Sequence, residues 1–329
     1  MLVSPNGKMA VFLTKIGFLV GVFVLLSACA TPPQSKQILE TFPSKPSQIL
    51  LSDVPFWPQT EYQCGPAALA MVLNQKGVNV EPNQLISHLY IPDKKGAVTP
   101  EMLALTRHYE RIPVRIKGHL SQILRQLENG RPVVVLQNLG LEILPKWHFA
   151  IIVGYDQSTS EFILHTGDIE QRHMLFSVFE RTWARSGYWA MIILSPSERP
   201  DAEDLEPYLK SIIDFEAMGN KKVARLGYQQ ILKHQPQNFT ALMGLANIAY
   251  QEGQFKLATE LFESLTLQYP NRPEVWNNLA YSYLKMHLNE QALVAVRKAI
   301  KLSDSSADLH DNYLQSLQEI EMLTLKPSR

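Results

Sequence analysis

The carboxyl-terminal third of the chain repeats with a period of 34 residues. Ala224, Ala258 and Ala292 keep that spacing, as do Tyr228, Phe262 and Val296, and Ile231, Leu265 and Ala299. Pro236 and Pro270 follow it, with Asp304 in the third register, and so do Gly219 with Gly253 and Leu245 with Leu279. A small residue, an aromatic or apolar one four positions on and an apolar one three later share one face of a helix. The alanines let the two helices of a hairpin approach closely, and the prolines end the second helix. Leu242 and Trp276 fall where the first helix of a unit packs against the neighbouring turn. Such a unit cannot bury its apolar face alone and must stack on copies of itself. Residues 203–324 are therefore expected to form an all-α solenoid of three units, about 205–238, 239–272 and 273–306, closed by a capping helix over 308–324.

This pattern resembles the tetratricopeptide repeat, more closely in the last two units than in the first, where Tyr208 and Ser211 depart from it. The resemblance implies a concave surface that holds a protein or peptide partner.

The other end of the chain reads as an address. Lys8 and Lys15 precede an uncharged run from Ile16 to Ala30, and no acidic residue occurs before it. That run would span roughly 22 Å as a helix, short of the roughly 30 Å hydrocarbon core. A basic start, an apolar middle and small residues at the end are the marks of an export signal. The run ends in Leu26-Ser27-Ala28-Cys29, which resembles the lipobox of bacterial lipoproteins. The resemblance implies cleavage before Cys29, acylation of that residue and stable membrane attachment, since several acyl chains hold where one does not. Ala30 follows the cysteine, and the aspartate that retains such proteins in the inner membrane is absent. Residues 1–28 are thus expected to be the signal peptide. The expected location is the outer membrane, facing the periplasm. Residues 29–50, rich in Pro, Ser and polar side chains, are expected to be a lipidated tether.

Between the two lies the chemistry. Cys64 is followed by Gly65-Pro66 and then by Ala67 to Asn74, a run with high helix propensity and no breaker. Proline suits a first helical turn. Cys64 is therefore expected at a helix amino terminus, where free N–H groups favour a thiolate. Among nine histidines, His148 stands out near the start of a strand-like run, Lys146 to Asp156. Gly130 to Asn138 reads as a strand before it and Phe162 to His165 as one after it. An antiparallel sheet with a histidine at a strand start, facing a helix that carries a cysteine, suits a thiolate–imidazolium pair.

Residues 51–198 resemble the papain-like cysteine peptidases that process bacteriocin leader peptides at double-glycine sites, in their soluble, transporter-free branch. The resemblance rests on Val54-Pro55-Phe56 with Gln59, on Cys64 to Leu73, on Gly130 to Val135 and on His148 to Asp156. It implies an α+β fold, with Cys64 as nucleophile and His148 as general base and acid. Gln59, with the Cys64 backbone N–H, would be the oxyanion donor, and Gln63 is the alternative glutamine. The family places a carboxylate at the end of the strand after the histidine strand, to orient the imidazole. This chain has Leu164-His165-Thr166-Gly167-Asp168 there, so Asp168 is the candidate acid, and Thr166 or a backbone carbonyl the alternatives. Asp156 reads as a turn residue. Trp57 and Trp147 flank the cleft, as walls or as core.

Composition narrows the rest. At 329 residues the chain is long for one domain. Lys+Arg and Asp+Glu are equal at 31 each, which leaves no basic surplus for nucleic acid. No Cys-x-x-Cys, His-x-x-x-His or phosphate-loop motif occurs, so no metal and no cofactor is expected. The leading expectation is a membrane-anchored cysteine peptidase whose repeats recruit substrate or partner. The alternatives are an inactive peptidase-like envelope scaffold and a thiol amidase or acyltransferase.

Overall fold

The computed structural model describes residues 31–41, 47–59, 63–89, 97–304 and 308–324. The expected signal peptide and Cys29 lie outside them. The chain runs α1 (Pro33–Thr41), β1 (Gln48–Leu50), α2 (Cys64–Gln75), α3 (Pro82–Leu89), α4 (Thr99–His108), β2 (Ile112–Arg115) and α5 (Leu120–Glu128). It continues with β3 (Val133–Asn138), β4 (Trp147–Asp156), β5 (Glu161–Thr166), β6 (Ile169–Leu175), α6 (Phe176–Ala184) and β7 (Ala190–Leu194). Seven helices follow: α7 (Leu205–Ala217), α8 (Lys221–His234), α9 (Phe239–Gln251), α10 (Phe255–Gln268), α11 (Pro273–Lys285), α12 (Asn289–Leu302) and α13 (Asp308–Thr324).

The strands form one antiparallel sheet in the order β2-β7-β3-β4-β5-β6, with β1 added to the far end of β4. Strand alternation sends side chains to two faces. Phe149, Ile151 and Val153 of β4 face α2, α3 and α4, while Ala150 and Ile152 face α5 and α6. An irregularity between Ile152 and Gly154 breaks the alternation, so that Tyr155 joins the second face. Gly154 has to be glycine: a Cβ there would stand 2.2 Å from the Ile49 carbonyl oxygen of β1. This is the expected Cys-bearing helix packed on an antiparallel sheet.

The helices after residue 204 pair as hairpins, and their starts at 205, 239 and 273, and again at 221, 255 and 289, recur at the period read in the sequence. Ala224, Ala258 and Ala292 are fully buried between the paired helices. Trp276 donates its indole N–H to the Pro270 carbonyl at 2.9 Å, clamping the turn of the preceding unit. The first unit departs from the pattern for a packing reason. Tyr208, Ile212 and Phe215 of α7 are fully buried and belong to the same core as β2, β7 and α5. A polar seam reinforces the junction. Arg131 pairs with Glu198 at 2.9 Å and Asp201 at 3.0 Å, and buried Asp204 accepts from Gln122 at 2.9 Å and Gln126 at 2.8 Å.

One expectation is corrected. Residues 29–50 do not behave as a tether throughout, because α1 is docked. Its first-turn N–H groups at Gln34 and Ser35 reach the buried Glu180 carboxylate at 3.1 and 2.6 Å, and the Ser35 hydroxyl reaches it at 2.5 Å. An anion at a helix amino terminus is the favourable polarity. Ile38 sinks into the core below, and β1 then pairs with β4.

Phe215→Ala tests the shared core. It removes a fully buried ring and is expected to cost about 3–5 kcal/mol. Sheet and repeats should still unfold in one transition, monitored by tryptophan fluorescence and helical circular dichroism in urea. Two separated transitions in the unsubstituted chain would contradict the shared core.

Candidate active site

Cys64 is the first residue of α2, as expected. Gln63 before it makes no side-chain cap, so the first turn is capped by nothing of its own. Gly65 then sits so close to its neighbours that a Cβ would stand 2.4 Å from the Ala97 methyl, with the Phe149 ring at 3.6 Å. Glycine there lets the helix tip lie against Ala97, ahead of α4. Cys64 itself is half-buried and packs against the core that includes Phe149.

The other candidates gather at the same strand start. Gln59 is held by both its groups at the β5–β6 turn: its main-chain N–H donates to the Gly167 carbonyl at 2.8 Å, and its Oε1 accepts from the Gly167 N–H at 3.1 Å. That grip leaves its Nε2 directed at the Phe149 carbonyl, 3.5 Å away. His148, half-buried, precedes Phe149 and has its Nε2 2.8 Å from the Thr166 hydroxyl. Thr166 is buried at the end of β5. Gln59 and Thr166 thus meet two consecutive residues of β4, Phe149 and His148, while Cys64 at the tip of α2 packs on the sheet face that carries Phe149.

The candidate acid is corrected here. Asp168 is exposed in the turn beyond β5, and Thr166 takes the position against the imidazole. The reason is register. Thr166 ends β5 on the sheet face that carries Leu164, Ala150 and His148, whereas Asp168 lies past the strand. His165, on the opposite face, is committed elsewhere: its Nε2 lies 3.3 Å from the Val54 carbonyl, and its Nδ1 accepts from the Gln171 N–H at 3.2 Å. Asp156 closes the β4–β5 turn by accepting from the Ser158 N–H at 2.8 Å and hydroxyl at 2.6 Å. Trp57 is half-buried against the α2 core and Trp147 is exposed.

The expected ion pair is corrected too. Burial pushes the Cys64 thiol up, and this outweighs the amides of Phe149, Gly65 and Cys64 that pull it down. Burial also lowers the His148 imidazole, and the cations Lys146 and Arg172 lower it further, to about 4. Both shifts favour the uncharged forms. A carboxylate would offset the desolvation of an imidazolium; a threonine hydroxyl carries no charge with which to do so. Burial at both groups therefore works against a thiolate–imidazolium pair.

Sequence reasoning had named Thr166 only as an alternative, and it had not found the role of the Phe149 main chain. The first had a signal, a hydroxyl at the carboxylate's place in the strand. A main-chain contact has none. Among the described residues no group of three His, Cys, Asp or Glu side chains is arranged to hold a metal ion, and no helix is long and apolar enough to cross a membrane.

A helix carrying a cysteine at its tip thus packs against an antiparallel sheet with a histidine second in its central strand. Residues 51–191 match the model of the Peptidase_C39-like family and residues 224–281 that of the tetratricopeptide repeat. The chain therefore carries a Peptidase_C39-like domain followed by tetratricopeptide repeats. Among solved structures it is similar to a Bacillus anthracis protein provisionally described as a C39-like peptidase, at 19% identity and a TM-score of 0.39, covering 47% of this chain and 99% of that one. It is also similar to PcrH from Pseudomonas aeruginosa, at 18% identity and a TM-score of 0.35, covering 38% of this chain and 96% of that one. The type III secretion translocator chaperone SycD of Yersinia enterocolitica is similar at 16% identity and a TM-score of 0.36, covering 38% and 98%. Among curated proteins no relative matches.

A neutral pair has a measurable signature. Alkylation of Cys64 by iodoacetamide should climb with pH up to and beyond the ordinary thiol range. A plateau reached already in mildly acidic solution would show a thiolate–imidazolium pair instead. Thr166→Asp supplies the missing charge beside Nε2, and should raise the His148 value and speed alkylation at pH 6–7.

Proposed function

We propose that the chain is a cysteine peptidase in which Cys64 attacks a peptide carbonyl and His148 moves the proton. The observation that carries this reading is that Gln59 and Thr166 engage Phe149 and His148 of β4, with Cys64 at the tip of the helix packed on the Phe149 face. With Nε2 engaged by the Thr166 hydroxyl, Nδ1 is the ring nitrogen left to take the thiol proton. Attack and proton transfer then proceed together, since burial works against a charge on either group at rest. The thiol proton passes to His148 as the sulfur–carbon bond forms, and His148 then gives it to the leaving amine. Water, with its proton taken by His148, hydrolyses the resulting thioester and frees the sulfur. The oxygen charge that develops in each step needs aimed donors. Gln59 Nε2, only loosely engaged at 3.5 Å, and the Cys64 main-chain N–H are the groups for it.

Acylation at Cys29 and an envelope location, at the outer membrane facing the periplasm, complete this proposal from the Leu26-Ser27-Ala28-Cys29 motif. The repeats would hold a protein partner or substrate, and the core shared through α7 would fix them relative to the cleft.

A second reading, a peptidase-like scaffold without turnover, is favoured by one observation: Thr166 stands where a carboxylate would stabilise the imidazolium. Turnover separates the two. The chain is incubated with a peptide library and new amino termini are counted by mass spectrometry. The peptidase reading expects cleavage that Cys64→Ala abolishes and Gln59→Ala reduces about 10²–10³-fold in kcat. Equal cleavage by wild type and Cys64→Ala removes Cys64 as the nucleophile. No cleavage of any library peptide by the folded wild-type chain selects the scaffold.

A further inference from the structure

The loop Leu139–Lys146, between β3 and β4, displays large apolar side chains to solvent. Ile143 is 91% exposed, Leu144 75%, Leu141 64%, and Trp147 at the start of β4 52%. The loop frame is nonetheless firmly tied. Buried Asn138 accepts from the N–H groups of Gly140 and Lys146, each at 2.9 Å, and the Leu139 N–H donates to the Lys146 carbonyl at 2.9 Å. Gly140 cannot carry a side chain, because a Cβ would stand 2.4 Å from the Leu144 carbonyl oxygen. A fixed loop that projects four large apolar groups is costly in water unless another apolar phase covers them.

The start of the chain lies at the same end of the sheet. The Gln34 side chain in the first turn of α1 donates to the Gly118 carbonyl at 2.9 Å and accepts from the Leu120 N–H at 2.8 Å. Gly118 abuts Tyr188, and the adjacent Trp189 carbonyl accepts from the Leu136 N–H near the end of β3, at 3.2 Å. From there the chain runs through α1 to the opposite end, where Gln48 pairs with Asp156. Cys29 precedes Pro33 by four residues, a reach of at most about 14 Å. Since α1 is docked, acyl chains on Cys29 would enter a bilayer close to this end of the sheet.

We propose that the loop is a membrane-docking surface. Leu141, Ile143, Leu144 and Trp147 enter the interfacial layer of the bilayer, with Lys146 at the loop base facing anionic headgroups, and the cleft beginning at His148 is held against the lipid. Tryptophan and branched aliphatic side chains suit that layer. Lipid is favoured over a peptide because these side chains protrude, whereas peptide and small-ligand sites are concave. The proposal draws on the Cys29 anchor for orientation, while the loop's own affinity for lipid is independent of it.

The test uses the full chain purified from a bacterial envelope and vesicles of phosphatidylethanolamine and phosphatidylglycerol with brominated acyl chains. Bromine quenches tryptophan only near contact, and comparison with Trp147→Phe isolates Trp147. The expected result is a quenched component that this substitution removes. In a chain carrying Cys29→Ser, Ile143→Asp with Leu144→Asp should lower vesicle partitioning about tenfold or more, with the thermal midpoint and Cys64 alkylation unchanged. Equal quenching in wild type and Trp147→Phe, or equal partitioning with and without the aspartates, overturns the proposal. So does an aspartate pair that spares partitioning and weakens peptide binding, which would make the loop a peptide contact. Mass spectrometry of Cys29 decides the anchor separately. An unmodified Cys29 beside a loop that still partitions removes the anchor alone, and an acylated Cys29 beside an unquenched Trp147 removes the docking surface alone.

Discussion

The contact between the tip of α2 and the start of β4 organises the molecule. Gly65 fits tightly against Ala97 and lies in ordinary contact with the Phe149 ring, and the buried residues of α2 pack on the face of the strand to which Phe149 points. From Cys64 inward, α2 is almost entirely buried, so this placement is enforced by a whole helix of apolar packing. The opposite face of the same sheet binds α5, α6 and α7, so the strands that hold the candidate site also carry the repeats.

The electrostatics of the site follow from the same burial. A helix amino terminus favours a thiolate, and three amides do act on Cys64, but removing the sulfur from water outweighs them. His148 suffers the same desolvation beside two cations, with only a hydroxyl as its partner. Thr166 can fix the tautomer and the ring plane without stabilising a charge. Its contact with the ring thus separates orientation of the imidazole from stabilisation of its protonated form.

Much of this was legible in the chain itself because it rests on local rules. The 34-residue period, the helix after Cys64-Gly65-Pro66 and the strand from His148 each follow from spacing or propensity within one segment. What was not legible depended on distant partners. The docking of α1 requires Glu180, nearly 150 positions away, to reach Gln34 and Ser35. The irregular first repeat is explained only when α7 is seen against β2. The choice between Asp168 and Thr166 turned on which residue ends β5, a difference of two positions that composition cannot resolve. The protonation of Cys64 and His148 balanced helix amides against burial, and only coordinates supply the burial.

The sharing of α7 between sheet and solenoid has an architectural meaning. A hinge between two modules needs a seam where water can enter, and here that seam is filled by Tyr208, Ile212 and Phe215. The two halves therefore behave as a single bracket with a built-in angle. The first repeat is thereby fixed against the sheet, and the direction in which the solenoid leaves it is set by the stacking of helices.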